Sequence, residues 1–226
     1  MIIVVPSRGR PDNIRELINS FSNTCVADTH LWVCVDDDDP ELEGYREALR
    51  LAPSGAYRLI VGEPSRIGPI LNRVVPEAAQ KSDVVGFMGD DHRPRTLAWD
   101  QLYINNLRSM RTGVVYGNDL YQGPNIPTQV AMTSNIVKAT GYFVAPGAKH
   151  LYLDNMWKDI GNAVGIRYLD DVVVEHMHPC AGKGDWDEGY ATNNSPETYS
   201  EDEAVYTDWK QNILLLWVEQ IRNYSE

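Results

Sequence analysis

The chain has 226 residues, 43% of them hydrophobic and 23% charged, which is typical of one globular domain and excludes wholesale disorder or coiled-coil architecture. The formal net charge of −12 opposes non-specific attraction to nucleic-acid phosphates or anionic membranes. The three cysteines, an odd number without metal-ligand spacing, favour a reducing compartment. We therefore expect a cytoplasmic protein with no signal peptide and no integral membrane segment.

The first part of the chain alternates short apolar runs with amphipathic ones. The apolar runs predict strands at residues 1–5, 31–35, 58–61 and 83–88. The amphipathic runs predict helices at 12–21, 41–51 and 72–80, the first with Asp12 as its N-cap. This alternation predicts an α/β fold with a mostly parallel sheet. Polar residues follow several strands, and ligands of such sheets bind outside the carboxyl ends of the strands.

The second half loses the regular alternation, which predicts an α+β part built onto the first sheet. Helices are expected at 96–111, 152–163 and 201–224, and strands at 113–116 and within 166–178, while 130–140 is open between strand and helix. Residues 180–196 combine glycines and asparagines with charges, which predicts a mobile loop or a lid. The lid candidates are Lys183, Trp186 and Tyr190.

The strongest candidate cluster is Gly89-Asp90-Asp91-His92, directly after the fourth predicted strand. Two carboxylates and an imidazole are ligands that suit Mn²⁺ or Mg²⁺ beside a diphosphate. The alternative is a solvated acidic turn in which an aspartate caps a neighbouring element.

Four short motifs follow one another in a particular order. They are Val4-Val-Pro-Ser-Arg8, Val35-Asp36, Arg66-Ile-Gly-Pro-Ile-Leu-Asn72 and the apolar strand that runs into Asp90-Asp91. This order resembles the nucleotide-sugar half of GT-A fold glycosyltransferases, particularly those of the family 2 type. The resemblance implies one GT-A-like domain over 1–226, with a nucleotide-sugar-binding half at 1–95 and an acceptor half at 96–179.

The resemblance also implies roles on the donor side. Asp36 would bind the base of the donor nucleotide and Asp91 the metal ion. Gly89 stands in place of the usual first acid, so Asp90 is left for the ribose or for a water on the metal. Further donor-binding candidates are Pro6, Ser7, Arg8, Arg10, Arg66 and Asn72. The three arginines would hold diphosphate oxygens by bidentate hydrogen bonds, unless they are ordinary surface charges.

The acceptor side is implied by Leu153-Asp154-Asn155, which follows Gly141-Tyr-Phe143 and resembles the family's acceptor segment. Asp154 then becomes the catalytic base, because inverting transfer needs a carboxylate within reach of the acceptor hydroxyl. The alternative is that Asp154 only caps a helix, in which case Asp159 is the next acid to test.

Two late histidines, His176 and His178, share one face of a predicted strand because the side-chain period of a strand is two. GT-A enzymes often supply a late histidine as a metal ligand. The sequence favours His178 for this role over His176 and His92, because His178 stands where the predicted loop begins.

These observations predict a metal-dependent glycosyltransferase that moves a sugar from a nucleotide diphosphate, by resemblance UDP, to an acceptor hydroxyl, with inversion. The acceptor is open between glycan, protein and modified nucleic acid. One alternative is a nucleotidyltransferase, although Pro6-Ser-Arg-Gly-Arg10 lacks the lysine that such an enzyme needs. The other is a non-catalytic nucleotide- or glycan-binding module. The apolar C-terminal helix predicts packing on the domain or, as a homo-oligomer, on another subunit.

Overall fold

The structure is a computed structural model that describes residues 1–52, 55–184, 186, 193 and 195–225. The strands are β1 Ile2–Pro6, β2 His30–Asp36, β3 Tyr57–Gly62, β4 Val84–Phe87, β5 His92–Pro94, β6 Val114–Asn118, β7 Val130–Thr133 and β8 Ile166–His176. The helices are α1 Pro11–Thr24, α2 Leu42–Arg50, α3 Ile67–Lys81, α4 Trp99–Met110, α5 Ser134–Thr140, α6 Leu153–Val164, α7 Pro196–Asn212 and α8 Leu214–Ser225. Within the described ranges, none of these helices is both long and apolar enough to cross a bilayer.

The strands form one eight-stranded sheet in the order β3-β2-β1-β4-β7-β6-β8-β5. Strands β3, β2, β1 and β4 are parallel, as the alternation of strands and helices predicts. The sheet then becomes mixed, because β7 runs antiparallel to both β4 and β6, and β5 runs antiparallel to β8. The predicted α/β class, with a mostly parallel first half and a mixed second half, is confirmed.

Helices cover both faces of the sheet, so its central strands are buried on both sides. One face packs on α3, α5, α6, α7 and α8 through a core that includes Leu71, Val75, Trp157, Trp209 and Trp217. The other packs on α1, α2 and α4 through Ile14, Leu17, Tyr45, Trp99 and Tyr103. Alternate residues of β1 enter the two cores, which explains why the run Ile2–Pro6 is apolar throughout.

Helix α3 begins at Ile67, five residues before the predicted start. Pro69 lies in its first turn, where a missing N–H leaves no helical hydrogen bond unmade. Gly68 allows the loop before α6 to approach closely, because a Cβ atom at this position would lie 2.0 Å from the carbonyl oxygen of Ala148. Its N–H donates to the carbonyl oxygen of Lys149 at 2.8 Å. This contact fixes the start of α3 beside the segment that leads into α6.

Two other local predictions are corrected, and one open segment is resolved. Asp12 does not cap α1, because the helix begins at Pro11 and its N-cap residue is Arg10, whose N–H donates to the hydroxyl oxygen of Tyr45 at 2.7 Å. The ambiguous segment 130–140 is strand followed by helix, with the change at Ser134. The predicted C-terminal helix is two helices, since regular helix geometry breaks at Ile213.

The apolar surface of the C-terminal helices packs mainly on their own domain. Trp209, Trp217 and Ile221 are buried in the core, while Leu215 and Leu216 are 78% and 58% exposed. Packing on the domain therefore accounts for most of the apolar residues in this segment. Self-association through the segment stays a prediction.

Candidate active site

A cleft of about 1110 Å³ opens at the carboxyl ends of β1, β2 and β4. Its other walls are the N-terminal turns of α3 and α6 and the end of β8. It brings together most of the predicted site residues, namely Pro6, Ser7, Arg8, Arg10, Asp36, Arg66, Asp90, Asp91, His92, Asp154, His176 and His178.

Asp91 and two histidines form a buried cluster at the base of the cleft. Asp91 Oδ2 lies 3.2 Å from His176 Nε2, and Asp91 Oδ1 lies 3.4 Å from His92 Nδ1. The two imidazole rings stack with centroids 4.2 Å apart, because His92 and His176 are paired residues of β5 and β8. Burial alone would raise the pKa of Asp91, but His176 and His92 outweigh it and lower the pKa well below its ordinary value.

The donor atoms of this cluster fit a divalent cation. One atom each from Asp91, His92 and His176 lie within 4.8 Å of one another. His92 is the least available of the three, since its Nδ1 accepts the N–H of Gly89 at 3.0 Å and its Nε2 lies 3.5 Å from Thr128 Oγ1. By contrast, His176 Nδ1 is buried and has no hydrogen-bond partner among the described residues. A carboxylate and an imidazole are ligands that suit Mn²⁺.

The geometry favours His176 over His178 as a metal ligand, although the sequence favours His178; the choice between them stays a prediction. His178 Nδ1 accepts the N–H of Cys180 at 3.0 Å, and its ring stacks on Tyr121 with centroids 5.6 Å apart. Its ring centroid is 5.0 Å from that of His176, so it borders the cluster. The physical reason is register: β8 pairs His176, and not His178, with the end of the Asp90–His92 turn.

Gly89 has a steric reason for replacing the expected acid. A Cβ atom at this position would lie 2.6 Å from Asp91 Oδ1, so any side chain there would displace the Asp91 carboxylate. The tight turn that folds Asp91 toward the histidines therefore requires a glycine at position 89.

The Asp90 carboxylate is held by the loop after β1. Its Oδ2 accepts the Ser7 hydroxyl at 2.6 Å, while its Oδ1 lies 3.5 Å from Arg10 and 3.4 Å from Asn13. Burial and then the neighbouring Asp91 carboxylate raise the pKa of Asp90. Asp90 thus ties the β1 loop to the Asp91 turn from within the wall of the cleft.

Asp36 is buried at the carboxyl end of β2, as expected. Its Oδ1 accepts the N–H of Ser65 at 3.2 Å, and its Oδ2 accepts a hydrogen bond from Arg8 at 2.8 Å. Arg8 also pairs with Asp38, so two carboxylates neutralise its guanidinium. Arg66, another of the predicted arginines, donates a hydrogen bond to the side chain of Asn193, and both residues line the cleft.

Asn72 is not among the residues that line the cleft, so its assignment as a donor-binding residue stays a prediction without support from the geometry. Its side chain donates to the carbonyl oxygen of Val144 at 3.0 Å and accepts the N–H groups of Phe143 and Val144. These bonds tie α3 to the segment before α6. The role of Asn72 is therefore to join two walls of the cleft.

Asp154 lies in the first turn of α6 and lines the cleft. It is not the N-cap, which is Tyr152, and its Oδ1 accepts the N–H of Asn155 at 3.0 Å. Desolvation in the cleft wall raises the pKa of Asp154 to about 6. The alternative acid, Asp159, is bound to Tyr206 at 2.7 Å and to Lys210 at 2.8 Å. Asp154 is thus a carboxylate of the cleft, whereas Asp159 is bonded to other side chains of the fold.

The lid prediction falls partly outside the described residues, since Tyr190 is not among them. Lys183 forms an ion pair with Glu175 at 2.9 Å, and Trp186 is 60% exposed. The described lining of the cleft includes Asn193 from this segment but neither Lys183 nor Trp186. A lid over the donor stays a prediction.

Sequence reasoning missed the residue that holds the Asp90–His92 turn in place. Arg93 is 3% exposed and donates to the carbonyl oxygens of Asp90 and His92 at 2.7 and 2.8 Å. Its guanidinium also pairs with Glu16 of α1 at 2.8 Å. The sequence feature that could have revealed Arg93 is an arginine next to a run of buried residues, because a buried arginine is rare without an acidic partner. His150, Asp119 and Thr128 were also missed: His150 and Thr128 line the cleft, and Asp119 accepts the Thr128 hydroxyl at 2.8 Å.

No family model and no curated protein matches the sequence. Among solved structures, mannosyltransferase PcManGT from Pyrobaculum calidifontis in complex with GDP-Man and Mn²⁺ has a TM-score of 0.62 and 13% identity, over 99% of this chain and 73% of that one. S. aureus TarS 1-349 in complex with UDP-GlcNAc has a TM-score of 0.54 and 12% identity, over 99% of this chain and 78% of that one.

Glucosyl-3-phosphoglycerate synthase from Mycobacterium tuberculosis, in complex with Mn²⁺, UDP-glucose and phosphoglyceric acid, has a TM-score of 0.59 and 12% identity, over 91% of this chain and 79% of that one. At this level of identity the likeness concerns the fold alone, and it confirms the GT-A-like fold that the order of the motifs implies. The chain has the GT-A fold, the fold in which these nucleotide-sugar glycosyltransferases are built.

Proposed function

We propose that the protein is a metal-dependent glycosyltransferase that moves a sugar from a nucleotide diphosphate donor to an acceptor hydroxyl. The observation that carries this proposal is one cleft, at the carboxyl ends of the parallel strands, lined by both the Asp91–His176 pair and the carboxylate of Asp154. The complexes of similar fold support it, because their ligands are Mn²⁺ with GDP-Man and Mn²⁺ with UDP-glucose.

The donor end of the cleft would hold the nucleotide and the cation. Asp91 and His176 would be the protein ligands of Mn²⁺ or Mg²⁺, and the bound cation would supply positive charge for the leaving diphosphate. Asp36 would accept a hydrogen bond from the imide N–H of a uracil base. Arg10 and Arg66 would add hydrogen bonds to diphosphate oxygens.

The acceptor end would depend on Asp154. With a pKa of about 6, this carboxylate is ionised at neutral pH and is still a stronger base than an ordinary aspartate. In an inverting transfer it would take the proton of the acceptor hydroxyl as that oxygen attacks the anomeric carbon. Asp154 would therefore set the rate of transfer rather than the affinity for the donor.

We propose UDP as the nucleotide because the resemblance in sequence implies it and because two proteins of similar fold were solved with UDP-sugars. A third similar fold binds GDP-Man, so the test includes both nucleotides. The test needs no acceptor, so it applies equally to a glycan, a protein or a modified nucleic acid as acceptor.

The experiment is to incubate the full chain with UDP-sugars and GDP-sugars and to measure the release of nucleoside diphosphate with Mn²⁺ or with EDTA. If the protein is a metal-dependent glycosyltransferase, it should slowly transfer the sugar to water without an acceptor, so UDP should be released with Mn²⁺ and not with EDTA. Tight, metal-dependent binding without release would instead support a non-catalytic nucleotide-binding module. Release of pyrophosphate from a nucleoside triphosphate and a sugar phosphate would indicate a nucleotidyltransferase.

A further inference from the structure

Asp119, which directly follows β6, is a buried carboxylate that the proposed reaction does not use. It is 2% exposed, and its Oδ1 accepts the N–H groups of Tyr121, Gln122 and Gly123 at 3.0, 2.7 and 2.8 Å. These three bonds hold the carboxylate of Asp119 in place. A buried anion is thus fixed in a single orientation by its own loop.

The second oxygen of Asp119 faces the cluster at the base of the cleft. Asp119 Oδ2 accepts the hydroxyl of Thr128 at 2.8 Å, and the same hydroxyl oxygen lies 3.5 Å from His92 Nε2. Asp119 Oδ2 also lies 4.0 Å from His176 Nδ1. The backbone N–H of His176 donates to the carbonyl oxygen of Asp119 at 3.0 Å, so the two residues are joined through the backbone as well.

The ring of His176 therefore lies between two carboxylates. Its Nε2 is 3.2 Å from Asp91 Oδ2, while its Nδ1 is buried, has no hydrogen-bond partner among the described residues and points to Asp119. A separation of 4.0 Å is too long for a hydrogen bond, so the two groups would bond only after the ring or the carboxylate moves closer. A neutral imidazole carries one proton, so it can donate to one of these carboxylates and must offer a lone pair at the other nitrogen.

We propose that Asp119 is a positioning residue for His176: it accepts a proton from Nδ1 and thereby turns the Nε2 lone pair toward a cation held beside Asp91. This proposal rests on the proposed metal-dependent function. In the structure, His176 Nε2 lies within hydrogen-bond distance of Asp91 Oδ2, at 3.2 Å. A cation at Nε2 would need the lone pair of that nitrogen, so a proton would leave Nε2 for solvent and one would bind at Nδ1, facing Asp119. Carboxylates that orient metal-binding histidines in this way typically contribute 10- to 100-fold to metal affinity.

The variant that tests this is Asp119→Asn in the full chain, because an amide oxygen can still accept the three loop N–H groups while the amide nitrogen cannot accept from His176. The matched control is Asp170→Asn. Asp170 is a carboxylate on the same strand as His176, and it bonds Tyr168 and Asn118 instead of the cluster. Titration of Mn²⁺ without nucleotide, followed by electron paramagnetic resonance, should show a 10- to 100-fold weaker affinity for Asp119→Asn and less than a twofold change for Asp170→Asn.

A second measurement uses the unaltered protein, so it decides the question even if Asp119→Asn does not fold. Zn²⁺ serves as a diamagnetic probe, and long-range ¹H–¹⁵N spectra report which nitrogen of His176 carries the proton. We expect Nε2–H in the metal-free protein and Nδ1–H in the Zn²⁺-loaded protein. His176 without a proton on Nδ1 when loaded, or Mn²⁺ affinity unchanged in folded Asp119→Asn, would overturn the proposal. A wild-type protein that binds no Mn²⁺, either alone or with UDP, would instead contradict the metal-dependent function on which it rests.

Discussion

The carboxylate of Asp91 and the imidazole of His176 meet at 3.2 Å at the base of the cleft, although Asp91 belongs to the first half of the chain and His176 to the second. The contact forms because β5 and β8 pair with His92 opposite His176, which places His176 beside the turn that carries Asp91. A buried carboxylate and imidazole at this distance can either bond to each other or share a cation. Replacing Asp91 by asparagine distinguishes a direct Asp91–His176 bond from a shared cation.

Asp91→Asn should abolish the Mn²⁺-dependent part of nucleotide diphosphate binding and leave the fold intact. An amide keeps the size of the carboxylate but loses the charge that a divalent cation needs. Calorimetric titration of UDP with and without Mn²⁺ measures the effect, with Asp37→Asn as the control because Asp37 is exposed on the loop after β2. Binding of UDP and Mn²⁺ by Asp91→Asn as tight as in wild type would remove Asp91 from the metal site.

Asp154→Asn should lower sugar transfer by roughly 10²–10⁴ and leave donor affinity unchanged, because an amide cannot take the acceptor proton. The control is Asp159→Asn, since Asp159 is a neighbouring carboxylate in the same helix that binds Tyr206 and Lys210. This control should cost up to about 1 kcal/mol in the free energy of unfolding and should not slow transfer. Equal losses of transfer in both variants would mean that the substitutions disturb the fold of α6 and that Asp154 is not a catalytic base.

The raised pKa of Asp154 predicts opposite effects of pH on activity and on stability. With saturating donor and metal, transfer should increase as pH rises through about 6, because the base must be ionised. The same group lowers the free energy of unfolding over that interval, because the folded chain binds its proton more tightly than the unfolded chain does. Asp154→Asn should thus match wild type in stability near pH 4 and exceed it by up to about 1 kcal/mol at pH 7.5. Thermal unfolding of the two proteins at both pH values checks this, and a constant difference between them would refute it.

The turn that carries Asp91 should depend on Arg93 more than on the acid that pairs with it. Arg93→Met leaves the carbonyl oxygens of Asp90 and His92 without their buried donor, which should cost about 2 kcal/mol in the free energy of unfolding. Glu16→Gln should cost less than about 1 kcal/mol, because the Glu16 side chain is 67% exposed. Urea denaturation measures both values, and a larger loss for Glu16→Gln would show that the ion pair matters more than the turn.

Much of the cleft could be predicted because short continuous apolar runs locate the buried strands, and polar residues directly after them fall at one edge of a parallel sheet. Asp36, Asp90 and Asp91 were found in this way. The sequence favours His178 where the geometry favours His176, because the choice depends on the register of β5, a strand of three residues that leaves no periodic signal.

Other parts of the site depend on contacts that a sequence pattern does not encode. Asn72 lies in a motif that the resemblance assigns to the donor, yet it bonds the backbone of Phe143 and Val144. Asp119 was missed because it follows a strand that was predicted to end two residues too early, at Tyr116. Long-range hydrogen bonds of this kind appear only when the strands are placed in three dimensions.

The central claim is that the cleft binds a nucleotide diphosphate together with a divalent cation. The measurement that tests it most directly is the thermal unfolding of the full chain with UDP or GDP, each with Mn²⁺, with EDTA and without additions. At a nucleotide concentration of about 100 times the dissociation constant, binding should add about 2.7 kcal/mol and raise Tm by about 5–10 °C. We predict that rise with UDP and Mn²⁺ together, and its loss with EDTA or in Asp91→Asn. An unchanged Tm with every nucleotide in the presence of Mn²⁺ would contradict the account.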